Sequence, residues 1–194
     1  MPATAHARTA SRRLALEIAL FKVLVFTLLT SVGALIAVPL PPDGVPMTLQ
    51  TLMVVLAALC IGPRLGAISM VLYVLIGMLG AGVFAQGEKG LGVILGQTGG
   101  FLVGFIACQP VIGAIVKDKH NVARGWLALI AGVLAGHAVI FAIGVPWFGI
   151  VNHYSVDLAL AGSFYPYLPG MVVKAGLAVV IGLAAYPNAV RRVW

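Results

Sequence analysis

The sequence predicts an all-α integral membrane protein: a single bundle of six transmembrane helices, both termini cytoplasmic, with ordered outer loops. Three observations predict it. Of 194 residues, 61% are hydrophobic and 9% are charged, with a mean hydropathy of +1.10. A soluble domain carries about 25% charged residues, so lipid rather than water is the outer solvent of this chain. The apolar residues fall in six long runs without period-2 alternation, which argues for helices and against strands. Finally, basic residues alternate between connections. Nine of the twelve lysines and arginines (Arg8, Arg12, Arg13, Arg64, Lys117, Lys119, Arg124, Arg191 and Arg192) lie at the two ends or in two short connections. The other connections hold only Lys89. The positive-inside rule places the basic set in the cytoplasm. The net charge of +7 is therefore a topology signal and not a nucleic-acid footprint, because it is spread over separate loops rather than one face.

Taken in order, residues 1–13 form a polar, basic tail with no small-residue cleavage site, which reads as cytoplasmic chain and not as a signal peptide. Helices are expected over 14–38, 47–62, 65–84, 98–116, 126–151 and 168–190. The second is short for a crossing and lies between Pro46 and Pro63. The two inner connections are a Gly-Pro-Arg turn and a short basic hairpin. The three outer ones are unusual. "VPLPPDGVPMTLQT", residues 38–51, is stiffened by Pro39, Pro41, Pro42 and Pro46. "VFAQGEKGLGVILGQTGGF", residues 83–101, is rich in glycine, which permits close backbone approach to a ligand. "NHYSVDLALAGSFYPYLPG", residues 152–170, carries three tyrosines, a histidine and Asp157. Elaborate loops on one side only point to a binding site opening outward.

Chemistry-bearing motifs are sparse. No zinc-protease, paired Cys-x-x-Cys or nucleophile-elbow pattern occurs. With no phosphate loop of the Gly-x-x-x-x-Gly-Lys type, ATP-driven movement of a solute would need a separate ATPase. No cofactor and no metal site is expected. Cys60 and Cys108 lie in apolar runs and read as buried small hydrophobes. His137, alone on the fifth helix, reads as a hydrogen-bonded structural residue. Lys174, inside "LPGMVVKAG", is a cation among apolar residues, about 7 Å below the start of the last helix. Gly170, four positions earlier, shares its face and leaves room above it.

Four stretches carry a family resemblance. "VPMTLQTLMVVLAALCIGPRLGAISMVLYVLIGMLGAGVFA", residues 45–85, resembles the long signature of the BioY family. "LGQTGGFLVGF", residues 95–105, "GVPWFG", residues 144–149, and "LPGMVVKA", residues 168–175, are similar to the family's other signatures, and all four occur in order. The resemblance implies the substrate-binding subunit of an energy-coupling-factor (ECF) biotin transporter. Such a protein spans the cytoplasmic membrane of a prokaryote several times. It docks on a coupling transmembrane protein driven by a pair of ATPases, although some members are thought to act without that module. It also implies docking through an Ala-x-x-x-Ala motif on the first helix, which Ala15 and Ala19 fit; small residues four apart let another helix approach.

Biotin has a ureido ring, a thioether ring and an apolar tail ending in a carboxylate, and such a ligand wants an apolar slot with a few placed polar groups. Thr48 and Gln50 at the start of the second helix, and Gln97, Thr98, Gly99 and Gly100 at the start of the fourth, are candidates for the ureido group. Trp147, Tyr165 and Tyr167 are candidates to cover the rings, and Lys174 to meet the carboxylate. One departure stands out. The family's last signature usually reads Leu-Pro-Gly-Asp, and here the aspartate position is Met171. A thioether is a weak acceptor, so Asp157, Gln97 or a backbone carbonyl of the glycine-rich loop is expected to take the aspartate's place. Two other readings stay open: a self-sufficient biotin carrier, and a membrane enzyme using His137 and Asp157 as acid and base.

Overall fold

The computed structural model describes residues 3–38, 45–118 and 122–185, with side chains from residue 10 onward. Eight α-helices are formed among the described residues: α1 Ala3–Leu35, α2 Gln50–Cys60, α3 Pro63–Met78, α4 Leu91–Leu95, α5 Gly99–Val116, α6 Trp126–Asn152, α7 Val156–Ser163 and α8 Leu168–Ala185. Four stretches are long and apolar enough to cross a bilayer: Ala10–Leu35, Gly99–Val116, Trp126–Asn152 and Val156–Ala185, the last combining α7 and α8. Helices α2 and α3 are apolar but shorter.

Several boundaries differ from the sequence expectation. Residues 3–13 are not a separate tail but the first turns of α1. At the other end of α1, Ala37–Val38 (β1) pairs antiparallel with Met47–Thr48 (β2), so a strand occurs where none was expected and α2 starts at Gln50 rather than residue 47. The cause is tertiary: the Leu49 amide donates to the carbonyls of Gly33 (3.1 Å) and Ile36 (3.2 Å) at the end of α1. Next, Gly62 takes φ +84°, a conformation suited to glycine, and Pro63 opens α3 at its first position, where its missing N–H costs nothing. Helix α3 stops at Met78 instead of running to 84. Gly80, at φ +104°, closes it with paired bonds from Gly80 N–H to Gly77 (3.1 Å) and from Ala81 N–H to Ile76 (3.2 Å). The loop expected over 152–170 contains α7, capped by Ser155, whose hydroxyl accepts from the Leu158 amide at 3.4 Å. The expected positions of Pro39, Pro41, Pro42, Lys119, Arg191 and Arg192, and of the last helix beyond 185, lie outside the described residues.

Helices α5 and α6 form the tightest pair of the bundle. A Cβ on Gly104 would lie 2.9 Å from the Cα of Ile140, and one on Gly136 would press into Ile112. Small residues let membrane helices approach without a hydrophobic drive between them. Polar seams tie the other helices. Thr27 of α1 donates to the Ser69 carbonyl of α3, and Ser69 donates to the Val23 carbonyl, both at 3.1 Å. Gln109 of α5 donates to Val54 of α2 at 2.9 Å and to Phe105 at 3.1 Å. Cys108 is buried, as expected, whereas Cys60, at the end of α2, is exposed.

Candidate functional site

Helices α2, α5 and α8 all begin around one cavity, and α6 passes it at mid-length. The space between atoms in and at the open mouth of the cavity is about 620 Å³. Its wall is mostly apolar, with Phe84, Phe101, Phe105 and Phe141 supplying rings. Phe141 is the hub, packed edge-on against Phe101 (6.1 Å between centroids), Phe164 (5.3 Å) and Tyr167 (6.1 Å). Such edge-to-face packing fixes ring orientation as well as filling space.

Of the residues expected at a site, six line this cavity: Thr48, Gln50, Thr98, Tyr167, Met171 and Lys174. Thr48 and Gln50 are locked together. The Thr48 hydroxyl donates to the Gln50 amide oxygen at 3.0 Å, and the Gln50 amide nitrogen donates to the Tyr73 hydroxyl, which in turn donates to the Val83 carbonyl at 3.0 Å. This chain ties the start of α2 to α3 and to the turn after it. Thr98 donates to the Val93 carbonyl at 3.3 Å. Lys174 is 6% exposed, and its ammonium donates to the Thr48 carbonyl at 3.0 Å. Among the described residues no carboxylate lines the cavity, so this bond uses one of three ammonium protons and leaves the charge unneutralised by the wall. A buried charge is costly unless paired. The room expected above the lysine at Gly170 is taken by the Met47 thioether, which a Cβ there would strike.

The other expected residues lie elsewhere. Gly99 and Gly100 are buried against Trp147, whose indole donates to the Gly96 carbonyl at 2.9 Å; the three seat the start of α5 on α6 and are packing residues, not wall. Gln97 is exposed in the turn before α5. Tyr165 is exposed and packs on Phe164 at 5.7 Å. Asp157 is exposed in the first turn of α7, where a carboxylate complements the helix dipole. Neither Asp157 nor Gln97 therefore stands where it could replace an acceptor at Met171. Ala15 is exposed and Ala19 half-buried on α1, beside exposed Leu16, Phe21 and Leu24.

Sequence reasoning missed His137 as a wall residue. Its Nδ1 pairs with the Val133 carbonyl at 2.9 Å, the structural bond expected, but its ring also faces the cavity. Phe101 and Phe105, four apart on α5, were a legible aromatic signal not used. No cluster of three or more metal-ligating side chains forms among the described residues.

The BioY family model matches residues 6–191. The chain belongs to the BioY family. Its relatives include a Thermotoga maritima protein named biotin transporter BioY, 38% identical over 166 residues and covering 84% of this chain and 93% of the relative. A Pyrococcus horikoshii protein named probable biotin transporter BioY is 36% identical over 159 residues, covering 82% and 90%. A crystal structure of the S-component for biotin from an ECF-type ABC transporter shares the fold, with a TM-score of 0.76 over 89% of this chain and 90% of that one at 24% identity. As a BioY protein with four long apolar spans, the chain is a multi-pass membrane protein of a transport family, not of an enzyme family.

Proposed function

We propose that this BioY protein captures biotin from outside the cell and serves as the substrate-binding subunit of an ECF transporter in the cytoplasmic membrane of a prokaryote. The observation that carries the reading is the cavity's pairing of aromatic walls with one buried, unneutralised lysine. That arrangement suits an apolar ligand ending in a carboxylate, which is what the named relatives' substrate is. Lys174 meets the carboxylate as a charge-assisted donor. The starts of α2 and α8 and the nearby start of α5 add partial positive charge from the helix dipoles. The phenylalanines bury the rings and tail, and Thr48, Gln50 and Thr98 hold the wall in shape. Met171, also on the wall, supplies a polarizable contact and no acceptor.

In this reading all six apolar segments cross the membrane. Both termini are cytoplasmic, and the cavity opens outward beneath residues 45–49, 79–98 and 153–167. Helices α2 and α3 cross as shorter elements inside the bundle. The basic residues at Arg64, Lys117 and Arg124 then mark the cytoplasmic end. The exposed face of α1 around Ala15 and Ala19 receives a coupling membrane protein, which its pair of ATPases drives. Replacing both alanines with leucine should abolish copurification of the coupling protein while leaving biotin binding intact; unchanged copurification would move the docking surface elsewhere.

The deciding experiment is a binding isotherm of labelled biotin on the purified protein. Saturable binding that excess biotin displaces is expected. Tight binding of an unrelated vitamin with no biotin binding would sink the reading.

A further inference from the structure

Four buried side-chain polar atoms among the described residues have no hydrogen-bond partner in the protein: Thr51 Oγ1, Gln109 Oε1, His137 Nε2 and Tyr167 OH. Three of the four, those of Thr51, His137 and Tyr167, belong to side chains that line the one cavity described above. Each such atom is costly if nothing pairs with it. Native proteins leave few, and each asks for an explanation. A coincidence of three at one cavity points to a ligand that brings the missing partners.

The chemistry of the three groups is complementary. His137 Nδ1 faces the Val133 carbonyl at 2.9 Å. A carbonyl only accepts, so Nδ1 carries the proton and the uncharged ring presents Nε2 as an acceptor. His137 is 1% exposed, and α6 holds its backbone, so the orientation is fixed. Tyr167 and Thr51 carry hydroxyls, each able to donate or accept. One fixed acceptor and two adaptable hydroxyls match a cyclic urea, which has two N–H donors flanking a carbonyl. Thr48 and Gln50, the sequence candidates for this role, are already bonded to each other and to Tyr73. Lys174, seven positions beyond Tyr167, lines the same cavity, so the same wall also offers a cation.

We infer that His137, Tyr167 and Thr51 form the recognition site for the ureido ring, with His137 Nε2 accepting from an N–H and the hydroxyls of Tyr167 and Thr51 completing the pairing. This rests on the proposal that the cavity takes biotin. It assigns a specificity role to a mid-membrane histidine whose structural bond to Val133 exists to fix its tautomer.

The test compares isotherms of wild type, His137→Leu, Tyr167→Phe and Thr51→Val for biotin and for biotin amide, which keeps the ureido ring and lacks the carboxylate. Each variant should weaken biotin binding about tenfold, the value of one lost hydrogen bond. The same loss should persist with the amide. The loss should shrink for 2-iminobiotin, whose ring lacks the carbonyl, most of all in Tyr167→Phe and Thr51→Val. Two results would overturn the assignment: affinity within about twofold of wild type in at least two variants, or losses that disappear with the amide and so belong to the carboxylate end. If His137→Leu does not fold, Tyr167→Phe and Thr51→Val, which delete or replace one hydroxyl, carry the test under the same criteria. A wild-type protein that binds no biotin would overturn the proposed function instead, a result read before any variant is made.

Discussion

Two sets of buried polar side chains divide the bundle. At the seams, Thr27 and Ser69 tie α1 to α3, and the Gln109 amide bridges α5 to α2. These donors end on a backbone carbonyl of a neighbouring helix, and the helices close around them. At the cavity, Thr51, His137 and Tyr167 keep an unpaired atom, and Lys174 spends one proton on Thr48. Both sets sit in apolar surroundings, where polar groups are expensive. The difference lies in where the partner is. A seam donor is satisfied by folding, although Gln109 keeps its amide oxygen unpaired, and so contributes stability. A cavity group is satisfied only from outside the chain and so contributes recognition. Polarity inside a membrane bundle thus carries no single meaning; the bond inventory separates the two uses.

Substitutions can break or sharpen this division. The largest effect is expected at Lys174. A hydrogen bond to a charged group contributes about 1.5–3 kcal/mol, so Lys174→Ala should weaken biotin binding about 10- to 100-fold without lowering the melting temperature in detergent. The loss should vanish for biotin amide. A protein that melts lower and binds as before would move the lysine into the structural set. The seam counterpart is Gly66→Ala. Its Cβ would collide with the Gln109 side chain and approach the Ala57 backbone at 3.3 Å. Overpacking of this kind costs about 1–3 kcal/mol, and should show as a lower thermal midpoint with the biotin affinity of the folded protein unchanged. Affinity falling together with stability would mean that seam and cavity are coupled. The smallest effect belongs to Asp157→Asn. An exposed acid at a helix start is worth about 0.3–1 kcal/mol, so a slight loss of stability and no change in affinity is expected. A tenfold loss of affinity would bring α7 into the site.

Much of the fold was legible because long apolar runs leave helices few alternatives. The errors came where one distant bond or one glycine decides. Nothing near Leu49 says that its amide will be taken by the end of α1, and the apolar run past Met78 hid the stop that Gly80 imposes. The Ser155–Asp157 pair was a readable start signal for α7, obscured by its place in an apparent loop. Within the site, residues at helix starts were found because a helix start has a predictable position; Thr48, Gln50, Thr98 and Lys174 all reached the wall. Asp157, Gln97 and Tyr165 did not, since belonging to a loop fixes neither direction nor depth. His137 was misjudged for the opposite reason. Its bond to Val133 was foreseeable from helix geometry alone, and that bond concealed the second nitrogen.

The short pairing of Val38 with Met47 has a consequence for variation and engineering. It brings the two ends of the proline-rich connection one rung apart and anchors them independently of what lies between. Closing a longer segment over such a clamp is cheap, about 0.6 kcal/mol for each doubling of length. Val45 and Pro46, at the clamped edge, line the cavity. The clamp therefore tolerates foreign sequence grafted between its two strands, and an environment-sensitive dye carried at Pro46 would sit on the cavity wall as an optical reporter of occupancy.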